Sequence, residues 1–175
     1  ARTLTFTSSN WDTPQTVTVT GIDEDLDDGN QTVALTIAVV DASSYDPYDS
    51  VSNETILVTV VDDDTAGFTL SGTTASVSET GTTDTFTVVL DSEPTGNVVF
   101  GISSADTGET TVSAAALTFT TSNWDTPQTI TVTGIDDTAT DGNQTTTVTV
   151  TITDSSTADS AYDALSDRTV AATTA

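Results

Sequence analysis

Period-two alternation of apolar residues, a composition rich in threonine and valine, and an internal repeat predict an all-β protein built from antiparallel β-sandwiches in tandem. In 128–135, Ile130 and Val132 alternate with Thr129, Thr131 and Thr133; in 145–153, Val148, Val150 and Ile152 alternate in the same way. About a quarter of the 175 residues are threonine, which with valine favours extended backbone. The net charge of −25 raises the question of disorder, but 35% of residues are hydrophobic and their alternation is clean, which argues for folding.

The repeat sets the domain organisation. Residues 4–32 read LTFTSSNWDTPQTVTVTGIDEDLDDGNQT, and 117–145 read LTFTTSNWDTPQTITVTGIDDTATDGNQT. Trp11 pairs with Trp124, an offset of 124 − 11 = 113, whereas Tyr48 pairs with Tyr162, an offset of 162 − 48 = 114. One residue is therefore inserted between these points in the second copy. Residues 1–64 read as the C-terminal part of one unit and 65–175 as a nearly whole second unit, joined at Val61-Asp62-Asp63-Asp64-Thr65-Ala66-Gly67. Ala175 matches Val61, and the expectation is a window from a longer array.

Strands are expected in the second unit at 67–78 with a break, 85–90, 98–103, 117–120, 128–135, 145–153 and 168–174. Those expected in the first are 4–7, 15–22, 32–40 and 55–61, the last four of the same series. No segment predicts a helix. Seven short strands in about 110 residues suit an immunoglobulin-like seven-stranded sandwich. Four strands cannot bury both faces of a sandwich. Val17, Val19, Leu35, Ile37, Val39, Ile56, Val58 and Val60 should then present an open apolar face. Strands A to C, upstream in the same polypeptide, would cover it, with donation by a neighbouring subunit as the alternative.

The charge bounds the chemistry. Twenty-seven acids face two arginines, Arg2 and Arg168, and lysine, histidine, cysteine and methionine are absent. Nucleic acid and anionic lipid both require cationic side chains, so neither is an expected partner. Membrane insertion is not expected either. The usual general bases and nucleophiles are missing, as are the soft ligands of zinc, so no enzyme is expected. Carboxylate, amide and hydroxyl oxygens remain, and these suit hard cations.

Antiparallel strands alternate ends, which sorts the acids. The turns after the first, third and fifth strands share one pole with the end of the seventh. Glu79 falls in the first of these turns, Asp106 and Glu109 in the second, and Asp136, Asp137 and Asp141 in the third. In the first unit the corresponding turn carries Asp23, Glu24, Asp25, Asp27 and Asp28, and the last strand runs into Asp62, Asp63 and Asp64. Carboxylates delivered to one pole repel unless a cation intervenes, and calcium accepts six to eight oxygens in flexible geometry. An isolated acid such as Asp91 or Glu93 reads as a solvated side chain. Trp11 and Trp124, in the SNWDTP turn, read as lids over the edge of a core in preference to a glycan platform.

The segments SVSETGT around Glu79, GIDEDLDDG, GIDDTATDG and VVDDDTAG together resemble tandem Calx-beta domains, across essentially the whole chain. That resemblance implies a seven-stranded sandwich with calcium sites at the distal pole. It supports Glu79, Asp106, Asp136, Asp137 and Asp141 as ligands in the second unit. In the first unit it supports Asp23, Glu24, Asp28, Asp62, Asp63 and Asp64, with the Leu26 carbonyl and the neighbouring Asp25 adding oxygens. Two departures stand out: Asp25 and Asp27 become Thr138 and Thr140, and the family's later acidic ligand is replaced by Gln31 and Gln144. The functional expectation is a calcium-stiffened structural or adhesive module of an extracellular or cell-surface protein, forming an extended rod or filament. Its partners would be neighbouring repeats and other copies. The alternative is a calcium-sensing regulatory domain attached to a larger protein.

Overall fold

The computed structural model describes residues 2–153 and 157–175, and eleven strands are assigned among them. The second unit holds nine, in two facing sheets. One sheet has the order β4 (Thr74–Val77), β11 (Arg168–Thr174), β10 (Gln144–Ile152), β6 (Val98–Ser104), β8 (Ala116–Phe119). The other has the order β3 (Phe68–Leu70), β5 (Thr83–Leu90), β9 (Gln128–Gly134), β7 (Thr110–Val112). All pairings are antiparallel except β4 with β11. Between the sheets lie the inward members of each alternation: Phe86, Val88, Ile130 and Val132 from one side, Phe100, Val148, Val150 and Val170 from the other. Phe100 contacts Phe68 and Phe119 edge-on, at ring separations of 4.7 and 5.8 Å.

Seven strands become nine for two reasons. The expected 67–78 strand breaks at Ser71–Thr73 and sends its halves to opposite sheets. A short strand missed by alternation, β7, sits between the third and fourth expected strands and pairs with β9. The fourth expected strand, β8, pairs with β6.

The first unit departs further from expectation. Only β1 (Gln31–Ile37) and β2 (Glu54–Val60) form there, as an antiparallel pair, while 4–7 and 15–22 are not strands. The reason is pairing. In the second unit the equivalents of these two segments bond to β6 and β5, and the sequence contains no counterparts of β5 and β6 for the first unit. Strand geometry without a partner leaves every backbone group to water. Single 3-10 turns at Asp41–Ser43 and Asp46–Tyr48 are the other regular elements of this unit.

The β1–β2 pair keeps the repeat's register across the insertion. Leu35 faces Ile56, and their counterparts Val148 and Val170 face each other; the added residue is absorbed between the strands. The face these residues share is closed in the second unit and open in the first. Val150 is fully buried, and its counterpart Ile37 is 51% exposed. Val17, Val19 and Ile56 are exposed as expected, while Leu35, Val39, Val58 and Val60 are half-buried. A groove of about 850 Å³ runs along this face from Val33 and Leu35 to the acidic 23–28 and 62–64 segments.

Candidate metal centre

The pole of the second sandwich is assembled by strand ends. Strand β9 ends at Gly134, where an added Cβ would lie 2.2 Å from the Ser78 carbonyl oxygen. The close crossing lets the Ser78–Glu79 turn pass over the sheet end. The Glu79 N–H donates to the Ala175 carbonyl (3.2 Å), which ties this turn to the end of β11. The acidic turn after β9 reverses at Gly142, at φ +72°, and its repeat partner Gly29 has φ +75°. A Cβ at either would meet nothing within 4 Å, so glycine is required by backbone conformation alone.

Glu109 lies at the centre of this pole. Its carbonyl accepts the Ile135 N–H (2.9 Å) and the Thr174 hydroxyl (3.3 Å), which fixes the residue between the ends of β9 and β11. Carboxylate oxygens of Glu109, Asp137 and Asp141 lie within 4.8 Å of one another. The Glu109 Oε2 atom is buried and has no hydrogen-bond partner. Burial raises the Glu109 pKa above its usual value near 4.5, and the charges of Asp141, Asp137, Asp106 and Glu79 raise it further. Four carboxylates from three segments thus contribute negative charge around one oxygen that has no hydrogen-bond partner among the described residues. Of the two arginines, Arg168 stacks on the Phe68 ring at 4.7 Å. It begins β11, roughly 20 Å of extended strand away from Thr174 at the acidic pole.

The remaining expected ligands of this unit divide. Glu79 and Asp106 face the pole closely enough to act on Glu109. Asp106 Oδ1 also accepts the Gly108 N–H (2.9 Å), shaping its own turn. Asp136 is exposed and lies outside the close triad. Gln144 donates to the Asp141 carbonyl (3.2 Å), and Gln31 to the Asp28 and Gly29 carbonyls (3.3 and 3.1 Å). Both glutamines brace the turn backbone where the resembled family has an acid.

The first unit's pole gathers its acids more loosely. Burial raises the Glu24 pKa, with Asp28, Asp62, Asp64 and Glu93 adding to the effect. Burial also raises Asp64, followed by the charges of Asp63, Asp25, Asp62 and Asp23. Asp62 is committed to structure: its two oxygens accept the Gly29 N–H (2.5 Å) and the Asp64 N–H (2.9 Å). The Leu26 carbonyl accepts the Asp28 N–H (3.0 Å). Among the described residues, the close carboxylate triad is that of the second unit.

No family model matches the chain, and no curated protein matches it. Among solved structures, it is similar to WR4, a member of the MSP family from C. elegans. Identity is 10%, the match covers 62% of this chain and 97% of that one, and the TM-score is 0.44. It is also similar to domains 4 and 5 of the S-layer protein SbsC, at 19% identity. That match covers 82% of this chain and 57% of that one, with a TM-score of 0.46. Similarity to the E. coli chaperone DraB is at 7% identity over 63% of this chain and 55% of that one, with a TM-score of 0.44. At these scores the likenesses carry no functional argument.

Two residues at these poles escape sequence reasoning. Strand order puts Glu109 in the same polar turn as Asp106, but the resemblance supports only Asp106 there as a ligand. Glu93 reads as a solitary acid, yet it joins the first unit's pole from the following unit. The signal for Glu93 was available in strand order: the turn after the second strand lies at the proximal end, which in a tandem meets the preceding unit's distal pole.

Proposed function

We propose that this chain is a calcium-binding, non-catalytic stretch of tandem immunoglobulin-like sandwiches of the Calx-beta kind, serving as a stiff spacer in an extracellular or cell-surface protein. The observation that carries the reading is the buried, unpartnered Glu109 oxygen held against Asp137 and Asp141. A buried carboxylate oxygen without a donor is unfavourable, and additional carboxylates make it more so. A hard cation reverses both effects, and the flexible oxygen-only surroundings suit calcium better than magnesium. Glu79 and Asp106 add negative charge around Glu109, and the Asp62–Asp64 segment carries similar chemistry at the junction between units. Calcium at a junction would hold successive sandwiches in line, as a rod requires.

Calcium titration of the chelator-treated protein, followed by calorimetry and thermal melting, tests this reading. At a hundredfold excess over the dissociation constant, linkage adds about 2.7 kcal/mol to the stability of the folded state. The midpoint should rise by several degrees, and magnesium at equal concentration should raise it less. An unchanged midpoint with no binding heat would remove the metal assignment.

A further inference from the structure

The linker between the units is held on both sides by hydrogen bonds that involve no cation. On one side, the Ala66 N–H donates to Asp27 Oδ2 of the preceding unit's acidic turn (2.7 Å). On the other, the Asp91 N–H of the following unit donates to the Gly67 carbonyl (2.9 Å). The two units also meet directly. Leu26 forms a parallel β-bridge with Glu93, and the Glu93 N–H donates to the Asp25 carbonyl (2.7 Å). Ala66 is buried, Leu26, Asp27 and Glu93 are half-buried and Asp25 is exposed, so the contact is partly shielded from water.

The repeat supplies an internal comparison. The counterparts of Asp25, Leu26 and Asp27 are Thr138, Ala139 and Thr140. There the carboxylate acceptor is gone, and the Ala139 N–H turns inward to Asp137 Oδ1 (2.7 Å). The Leu26 side chain is also reduced to a methyl group. The two acidic turns share their frame, yet only the first carries the carboxylate acceptor.

We propose that the 25–27 edge is a docking surface for the following sandwich, with Asp27 as its positioning residue, and that the 138–140 edge is not. The array would then contain two kinds of junction. One is stiff before any cation binds; the other depends on ions or remains loose. This goes beyond the calcium reading and does not require it.

The test is amide hydrogen exchange on the full chain in excess chelator, so that its outcome is independent of calcium binding. Losing the Ala66 acceptor in Asp27→Ala should speed exchange at Ala66 by about tenfold, the equivalent of one net hydrogen bond. Asp27→Asn, which keeps an acceptor oxygen, should stay near the parent rate. Replacing Asp25-Leu26-Asp27 by Thr-Ala-Thr should release the Glu93 amide as well. Protection at Val88 and Ile130 reports whether the second sandwich remains folded. If Asp27→Ala unfolds it, Asp27→Asn decides: an Ala66 amide as fast as in an unstructured peptide overturns the proposal. An Ala66 rate unchanged by Asp27→Ala overturns it too.

Discussion

At the scale of single residues, environment separates side chains that the repeat makes equivalent. Tyr162 is 1% exposed; its hydroxyl donates to the Ser92 carbonyl (2.6 Å) and lies 2.9 Å from Ser92 Oγ. Its counterpart Tyr48 is 61% exposed, because the first unit has no segment equivalent to Ser92 in this sequence. Tyr162→Phe leaves a buried carbonyl without its donor and should cost about 1–3 kcal/mol in denaturant unfolding. Tyr48→Phe should stay within about 0.5 kcal/mol. Equal effects would place the two tyrosines in the same surroundings.

Glu109 supports a prediction with a definite sign. Its pKa is raised on folding, so the folded state binds more protons than the unfolded one near the usual carboxyl range. The ionised form therefore destabilises the fold, fully above the folded pKa and not at all below the unfolded value. Glu24 and Asp64 act in the same direction. Asp84 acts oppositely: N–H donors from Ser76 and Thr85 lower its pKa, and its contribution is lost as pH falls through that lowered value. Melting in chelator should accordingly improve from pH 7 to about 5 and worsen only in stronger acid. Glu109→Gln should raise the chelator midpoint at pH 7, remove most of the gain at pH 5 and abolish most of the calcium shift. A Glu109→Gln protein that melts lower in chelator and keeps its calcium response would show that the residue is not the centre of the site.

At the scale of elements, turns and strands obey different rules. The SNWDTP turn has the same side-chain bonds in both units. Asn10 Oδ1 accepts the Thr7 N–H (2.5 Å), and Asn123 Oδ1 accepts the Thr120 N–H (2.6 Å). Gln15 and Gln128 donate to the Thr5 and Thr118 carbonyls, each at 2.8 Å. The turn therefore forms whether or not its flanks are in a sheet. Its tryptophans differ: Trp124 packs against the core, whereas Trp11 is 72% exposed. Fusing counterparts of residues 65–116 ahead of the chain should supply the missing partners. The Val17 and Val19 amides, outside any strand in the present chain, should then become protected by orders of magnitude. If they stay fast while the fused strands fold, the 15–22 segment does not belong to a sandwich sheet.

At the scale of the whole molecule, the junction decides how the units behave together. Asp62 anchors the preceding unit's Gly29 and shapes the step to Asp64, while Asp63 is exposed. Converting Asp62, Asp63 and Asp64 to Asn should loosen the angle between units and leave the second sandwich folded, since its core begins at Ala66 and Phe68, after the three substituted residues. Small-angle scattering in calcium checks this, and a mutant as extended as the parent would show that the junction does not depend on those charges. The backbone contacts through Leu26 and Glu93 should limit the loosening.

The sequence by itself determined what depends on near neighbours. Alternation marked the buried valines and isoleucines of β9 and β10, the internal repeat marked the two acidic turns, and strand order sent the acids to one pole. Such features span a few residues or follow from chain direction, so little loop entropy opposes them. Tertiary structure decided the rest. It determined that 4–7 and 15–22 stay unpaired, because a strand needs a second segment to take its backbone bonds. It selected Glu109 over Asp136 for the close triad, since oxygens meet according to how β7, β9 and β11 end. It also carried Glu93 from one unit to the pole of another, a proximity set by packing between sandwiches that no local pattern encodes.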